Sequence, residues 1–247
     1  GILSAADTGG VEVRFGDAEA VHRLIGLMAR REGFGDVLAE GSAALAERFG
    51  VPELAVTVNR LEVPLHDPRA FVGMAVSYAL SARGACHMQG DMYSVDTGQG
   101  LALELGIEPG DRFDSSEEKG RIAARQQAWR GLYNAMTLCQ FQNPGVERIV
   151  AAMNAATGWG LEAGDLMTLG KRIVTLQRLL NLRLGLTPAD DRLPNQLLRP
   201  LKDGGTEGCT PDLDALLAGA YAEYGWDPET GRPMPETLAR LGISLPM

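Results

Sequence analysis

Cysteine and histidine are scarce in this 247-residue chain, three of each, and neither type sits at a spacing that assembles a metal site by itself. Cys86, Cys139 and Cys209 lie far apart with no CxxC pair, and His22, His66 and His87 form no HxH, HxxxH or HExxH group. So sparse and odd a set of cysteines excludes a disulfide framework and points to a reducing cytoplasm, where such a thiol is ordinarily a small buried hydrophobe. Positive charge is also short: 23 Lys and Arg stand against 32 Asp and Glu, a formal net charge of -9. A nucleic-acid partner needs a basic face, so none is expected. Long apolar runs are missing as well, none approaching the roughly 18–20 residues of a membrane span, so no membrane partner is expected. Residues 1–7 have no basic stretch leading an apolar one, which excludes a secretory signal there. They also lack an initiator Met and run straight into patterned sequence, which reads as the cut end of a longer protein.

What is present is helical. Hydrophobic residues make up 45% of the chain and charged residues 22%, as in ordinary globular domains. Over 17–31, Ala20, Val21, Leu24, Leu27 and Met28 recur at three and four residues, with Asp17 as N-cap and Gly33 as stop. A second helix is expected over 36–49, and a short strand or extended link over 51–63. Asp67-Pro68-Arg69 reads as the start of a helix that ends near Gly84. Residues 88–114 carry Gly90, Gly98, Gly100, Gly106, Pro109 and Gly110 and read as a long loop with one short helix at 101–105. Ser115 with Glu118 fits a capping box for the longest helix, running to about Cys139. Further helices are expected over 146–157, 162–184, 212–224 and 235–241, with 186–208 as a surface connection. The fold class is mainly α, as two packed helical lobes over 1–114 and 115–247. Glu117, Glu118, Asp190 and Asp191 read as a solvated acidic face.

Two stretches interrupt this routine. Around Arg83-Gly84-Ala85-Cys86-His87 a helix ends in Gly and delivers Cys and His side by side; a His just past a helix carboxy-terminus has its protonated form favoured by the dipole. Around 132–141, Met136, Leu138, Cys139 and Phe141 stand at the end of a helix, where chemistry alone reads them as core. A lone His and a lone Cys decide nothing by themselves.

Taken in order, four blocks resemble the aldehyde:ferredoxin oxidoreductase family of tungsten-pterin enzymes. They are Arg30-Arg31-Glu32-Gly33-Phe34-Gly35-Asp36; Leu61-Glu62-Val63-Pro64 with His66-Asp67-Pro68-Arg69; Arg83-Gly84-Ala85-Cys86-His87; and Leu138-Cys139 with its downstream series, including Asp190-Asp191-Arg192-Leu193-Pro194. The resemblance covers nearly the whole chain and implies the second and third, helical domains of that family, with 1–114 as a second-domain-like lobe and 115–247 as a third-domain-like one. It implies a tungsten-bispterin of molybdopterin type, a [4Fe-4S] cluster, an aldehyde substrate, ferredoxin as acceptor and an amino-terminal domain of the same protein, and it leaves a homo-oligomer open. Cys139 falls on the family's fourth cluster cysteine, at the end of a DxxGLC motif, and His87 on a histidine near the metal that can hydrogen-bond an oxygen and move a proton. Asn134, Thr137 and Leu138 fall on the pterin-binding part of that motif. Two positions depart from it: Asn134 replaces the aspartate and Thr137 the glycine. A divergent member acting on another substrate, such as an aromatic acyl-CoA, and a non-catalytic helical interaction module are the alternative readings.

Overall fold

The computed structural model describes residues 8–14, 16–206 and 208–244, so residues 1–7 lie outside it. The chain begins with α1 (Ala18–Arg30), capped by the Asp17 carboxylate, which accepts the Ala20 N–H at 2.9 Å. The helix expected over 36–49 is two, α2 (Phe34–Leu38) and α3 (Gly41–Arg48). The break falls at Gly41, whose φ of +88° suits glycine, and the Ser42 N–H then donates to the Glu62 carboxylate at 3.0 Å. Residues 51–63 resolve into a hairpin of β1 (Thr57–Val58) and β2 (Leu61–Glu62), with Thr57 opposite Glu62 and Val58 opposite Leu61. Asn59 and Arg60 both take positive φ, as a two-residue hairpin turn of this twist requires.

The helix expected from Asp67 to Gly84 shrinks to α4 (Met74–Ala79), every residue of which is buried. Asp67 does not cap it. Its carboxylate is taken by Arg69, through the backbone N–H at 2.9 Å and the guanidinium at 2.6 Å, while Arg69 Nη1 reaches the Gln196 and Arg199 carbonyls. This turn therefore anchors a distant segment. After α5 (Met92–Asp96) and a turn at Leu103–Leu105 comes α6 (Glu117–Ala135). Its N-cap is Ser116, which accepts the Lys119 N–H, and not Ser115, which accepts the N–H of Asp212. There follow α7 (Val146–Thr157), α8 (Ala163–Arg183), α9 (Leu213–Tyr224) and α10 (Pro235–Arg240), close to the expected spans. At 21 residues α8, not α6 with 19, is the longer.

The helix α6 is central, packed by α9, α8 and α4. The approach is backbone to backbone. A methyl group at Gly219 of α9 would lie 1.8 Å from the Glu117 carbonyl oxygen, one at Gly120 of α6 2.1 Å from that of Leu216, and one at Gly170 of α8 2.4 Å from that of Ala128. Glu223 of α9 then pins the three together, accepting from Arg125 of α6 at 2.8 Å and Lys171 of α8 at 2.6 Å. Burial works against its charged form, but the two cations win and hold its pKa below the ordinary value. One hydrophobic cluster runs from Val58, Val72 and Tyr78 to Trp129, Leu216 and Trp226.

Nor is the connection over 186–208 wholly superficial. Asp191, expected in a solvated face, is buried and accepts from Arg178 Nη1 and Nη2 at 2.7 Å each; the Tyr221 hydroxyl also donates to it. A buried guanidinium needs such a partner, and the residue pattern alone did not reveal which Asp of the pair supplies it.

The close approach yields a contrast. Gly219→Ala is expected to cost about 1–3 kcal/mol or more through overpacking against backbone. Gly164→Ala, at a helical site with nothing within 4 Å, should gain about 0.4–1 kcal/mol. Urea unfolding of both variants reads the difference, and equal stabilities would refute the backbone contact.

Candidate functional site

The hairpin braces the segment that carries His87. Gly84 has φ +100° and passes so close that a methyl group there would lie 2.6 Å from the Val58 carbonyl oxygen, and the Ala85 N–H donates to that same carbonyl at 3.3 Å. Arg83 Nη2 donates to the sulfur of buried Cys86 at 2.7 Å. His87 then opens a short turn, His87–Gln89. Since α4 ends at Ala79, no helix carboxy-terminus adjoins this histidine, and the dipole expected to favour its protonated form is absent. The opposite holds: partial burial, then the charge of His66 and that of Arg83, lower the His87 pKa, with Asp91 opposing them. The ring of His87 meets that of His66 at 4.7 Å, and His66 stacks on Tyr93 at 4.3 Å with planes 3° apart. His87 Nδ1 is buried without a hydrogen-bond partner.

The Cys139 segment is set by how α6 stops. The helix was expected to reach Cys139; it ends at Ala135, and Met136, Thr137 and Leu138 turn the chain away. The Leu138 N–H donates to the Tyr133 carbonyl at 3.0 Å and the Thr137 N–H to that of Asn134 at 3.2 Å, the paired bonds of a Schellman turn. Leu138 supplies the accompanying apolar contact by packing on the core. Such a turn needs one left-handed residue, usually glycine, and here it is Thr137 with φ +57°. This gives a physical reason for a glycine in the family motif at this place. Asn134 is exposed and accepts from Gln140 Nε2 at 3.2 Å. Cys139 is a free, exposed thiol, not the buried hydrophobe that composition suggests, and Phe141 beside it is 90% exposed.

A buried ion pair ties the two segments together. Arg130 of α6, 2% exposed, donates through Nε and Nη2 to the two oxygens of Asp91 at 2.7 and 2.8 Å. Gln126 Nε2 and the Ser94 hydroxyl complete the carboxylate's shell at 2.8 and 3.0 Å. The guanidinium lies 4.9 Å from the Tyr133 ring centroid, and its Nη1 is buried without a partner. Nothing in the sequence singled out Asp91 or Arg130; an Arg inside the α6 pattern was the one signal that a buried carboxylate had to exist somewhere.

Both residues border a cavity of about 490 Å³, together with Met88, Tyr93, Gln99, Gln140, Phe141 and Asn143. Its wall thus includes the neighbours of His87 and of Cys139, but neither of those two residues. A larger groove of about 630 Å³ lies elsewhere, between the hairpin and the end of α8, and includes Arg60, Arg83 and Asn181. Among the described residues no three of His, Cys, Asp and Glu gather as a metal site.

The family model described as aldehyde ferredoxin oxidoreductase, domains 2 and 3, matches residues 1–243. The tungsten-containing aldehyde ferredoxin oxidoreductase of Pyrococcus furiosus is 38% identical over 235 residues, covering 94% of this chain and 38% of the relative. The protein of the same description from Pyrococcus abyssi is 36% identical over 250 residues, covering 98% and 40%. The chain therefore spans about two fifths of the length of these curated relatives. Among solved structures, the active site complex BamBC of benzoyl coenzyme A reductase with 1,5-dienoyl-CoA superposes with a TM-score of 0.69, covering 98% of this chain and 41% of the other at 19% identity. That likeness is one of fold.

Two outcomes follow from the site's geometry. Asp91→Ala leaves the Arg130 charge buried and unpaired, and should cost about 3–5 kcal/mol in urea unfolding; a loss under about 1 kcal/mol would mean that water replaces the carboxylate. Thr137→Gly relieves a left-handed β-branched residue and should gain about 1 kcal/mol; no gain would show that the turn favours Thr by other contacts.

Proposed function

Because this chain belongs to the aldehyde ferredoxin oxidoreductase family, over its domains 2 and 3, we propose that it forms the helical half of a tungsten-pterin enzyme that oxidises aldehydes to carboxylic acids and passes electrons to ferredoxin. The observation that carries this reading is one cavity walled by the neighbours of an exposed free thiol, Cys139, and of a half-buried histidine, His87. The residues fit the group they would serve. A thiol held in the open by a Schellman turn is available to one iron of a [4Fe-4S] cluster, and a reducing cytoplasm would keep it free. Cys139 would supply one of the cluster's thiolate ligands, and its segment offers no second cysteine. Asn134 and the backbone around Thr137 and Leu138 offer hydrogen-bonding groups to a pterin edge; Asn134 is both donor and acceptor where the motif's aspartate only accepts.

Oxidising an aldehyde to its acid takes up the oxygen of one water and releases two electrons and two protons. The tungsten-pterin, when bound, supplies the two-electron chemistry. The chain's own residues bind, orient and move protons. His87, with Nδ1 buried and unpartnered, is best satisfied as the neutral tautomer bearing its proton on Nε2, a hydrogen-bond donor to a carbonyl oxygen. The Asp91–Arg130 pair is neutral as a whole, so the cavity suits an uncharged polar substrate such as an aldehyde.

The test is made in the purified protein that carries this chain, loaded with tungsten and iron. Cys139→Ala should lose the reduced-cluster resonance and most iron while retaining the fold. His87→Gln should keep iron and tungsten and lose about 10²–10³-fold in aldehyde-dependent dye reduction, the scale of one lost oxyanion-type donor. Because the His87 pKa is lowered, the neutral form dominates near pH 7, and activity should fall only as pH drops below the ordinary histidine value, a limb that His87→Gln removes. A full iron complement in Cys139→Ala would discard the cluster assignment and leave a helical interaction module.

A further inference from the structure

His87 does not stand alone; its ring meets a second imidazole, that of His66. The backbone on either side fixes His66. Its carbonyl accepts the Tyr78 hydroxyl at 2.7 Å, and the next residue, Asp67, is locked onto Arg69. Its ring stacks on Tyr93, which borders the cavity, and meets His87 at 4.7 Å. Two imidazolium charges at that separation repel strongly once partly shielded from water. His87 has a further reason to refuse a proton. An imidazolium donates from both nitrogens, and Nδ1 has no acceptor, so protonation would leave a buried N–H unpaired.

We propose that His66 is a positioning residue for His87: stacked on Tyr93 and in ring contact with His87, it fixes the His87 ring and disfavours a positive charge there, and so keeps His87 as the neutral Nε2–H donor. The proposal rests on the reading of His87 given above. Other groups around the pair act in known directions. Asp91 draws a proton towards His87, but its charge is matched by Arg130 of α6; Arg83 repels one. The helix α4 brings Tyr78 as its only titratable side chain, and the remaining neighbours, Cys86 and Tyr93, are uncharged when protonated. The His87 pKa, lowered by burial and by His66, agrees with this arrangement.

In the purified protein that carries this chain, ¹⁵N-histidine NMR follows the His87 ring, identified as the resonance lost in His87→Asn. In His66→Phe, which keeps an aromatic ring for Tyr93 and removes the charge, the His87 titration should move to higher pH. In the loaded enzyme, the acid limb of kcat/KM should move to higher pH in His66→Phe, a change that a merely structural packing role would not produce. An unmoved His87 midpoint in folded His66→Phe overturns the proposal; if that variant does not fold, the same titration is made in His66→Gln, where an unmoved His87 midpoint overturns it. The titration needs neither cofactor nor substrate. A His87 that turns out irrelevant to aldehyde oxidation would therefore leave the coupling intact, and a failed coupling would leave the catalytic test standing.

Discussion

A guanidinium with almost no access to water requires a carboxylate beside it, and in this chain the obligation of Arg130 to Asp91 sets where the site can be. Arg130 stands on α6 a few residues before the turn that presents Cys139, and Asp91 follows the turn that presents His87. Joining them joins two segments that the sequence separates by some forty residues. Such a pair adds little net stability over well-packed apolar groups, because desolvating both charges is expensive. What it supplies is a tie between the 88–96 segment and α6, with Gln126 and Ser94 taking up the remaining acceptor capacity of the carboxylate.

That docking needs α6 to be straight and reachable from several sides. Large side chains on every face would hold its neighbours some 8–10 Å away. Glycines at the crossings with α9 and α8 allow backbone contact, and Ala123, Ala124 and Ala128 keep the remaining surface low. Close crossings leave little room for sliding, so Glu223 can bridge Arg125 and Lys171 with short contacts on both sides. The same tightness holds the hairpin against Gly84, and through it the position of His87.

The two halves of the site are built by opposite means. Cys139 is delivered outward by a helix-terminating turn. His87 is drawn inward until its charged form is disfavoured. Sequence neighbours of both wall one polar cavity, whose Asp91–Arg130 pair is neutral as a whole.

Sequence alone determined α1, from its apolar stripe and its Asp17 cap, and the approximate spans of α7, α8 and α9. Periodicity and capping are local, so they survive without knowledge of partners. It also carried, through the resemblance of its motifs, the family. It failed where an element has no exposed face or where a side chain chooses a distant partner. The helix α4 is buried all round and so shows no boundary in its pattern, while Asp67 and Asp191 read as a cap and a surface charge until Arg69 and Arg178 claim them. The ring contact of His66 with His87 and the Asp91–Arg130 pair belong to tertiary structure alone. Each depends on groups far apart in the chain meeting out of water, and no local spacing encodes that meeting.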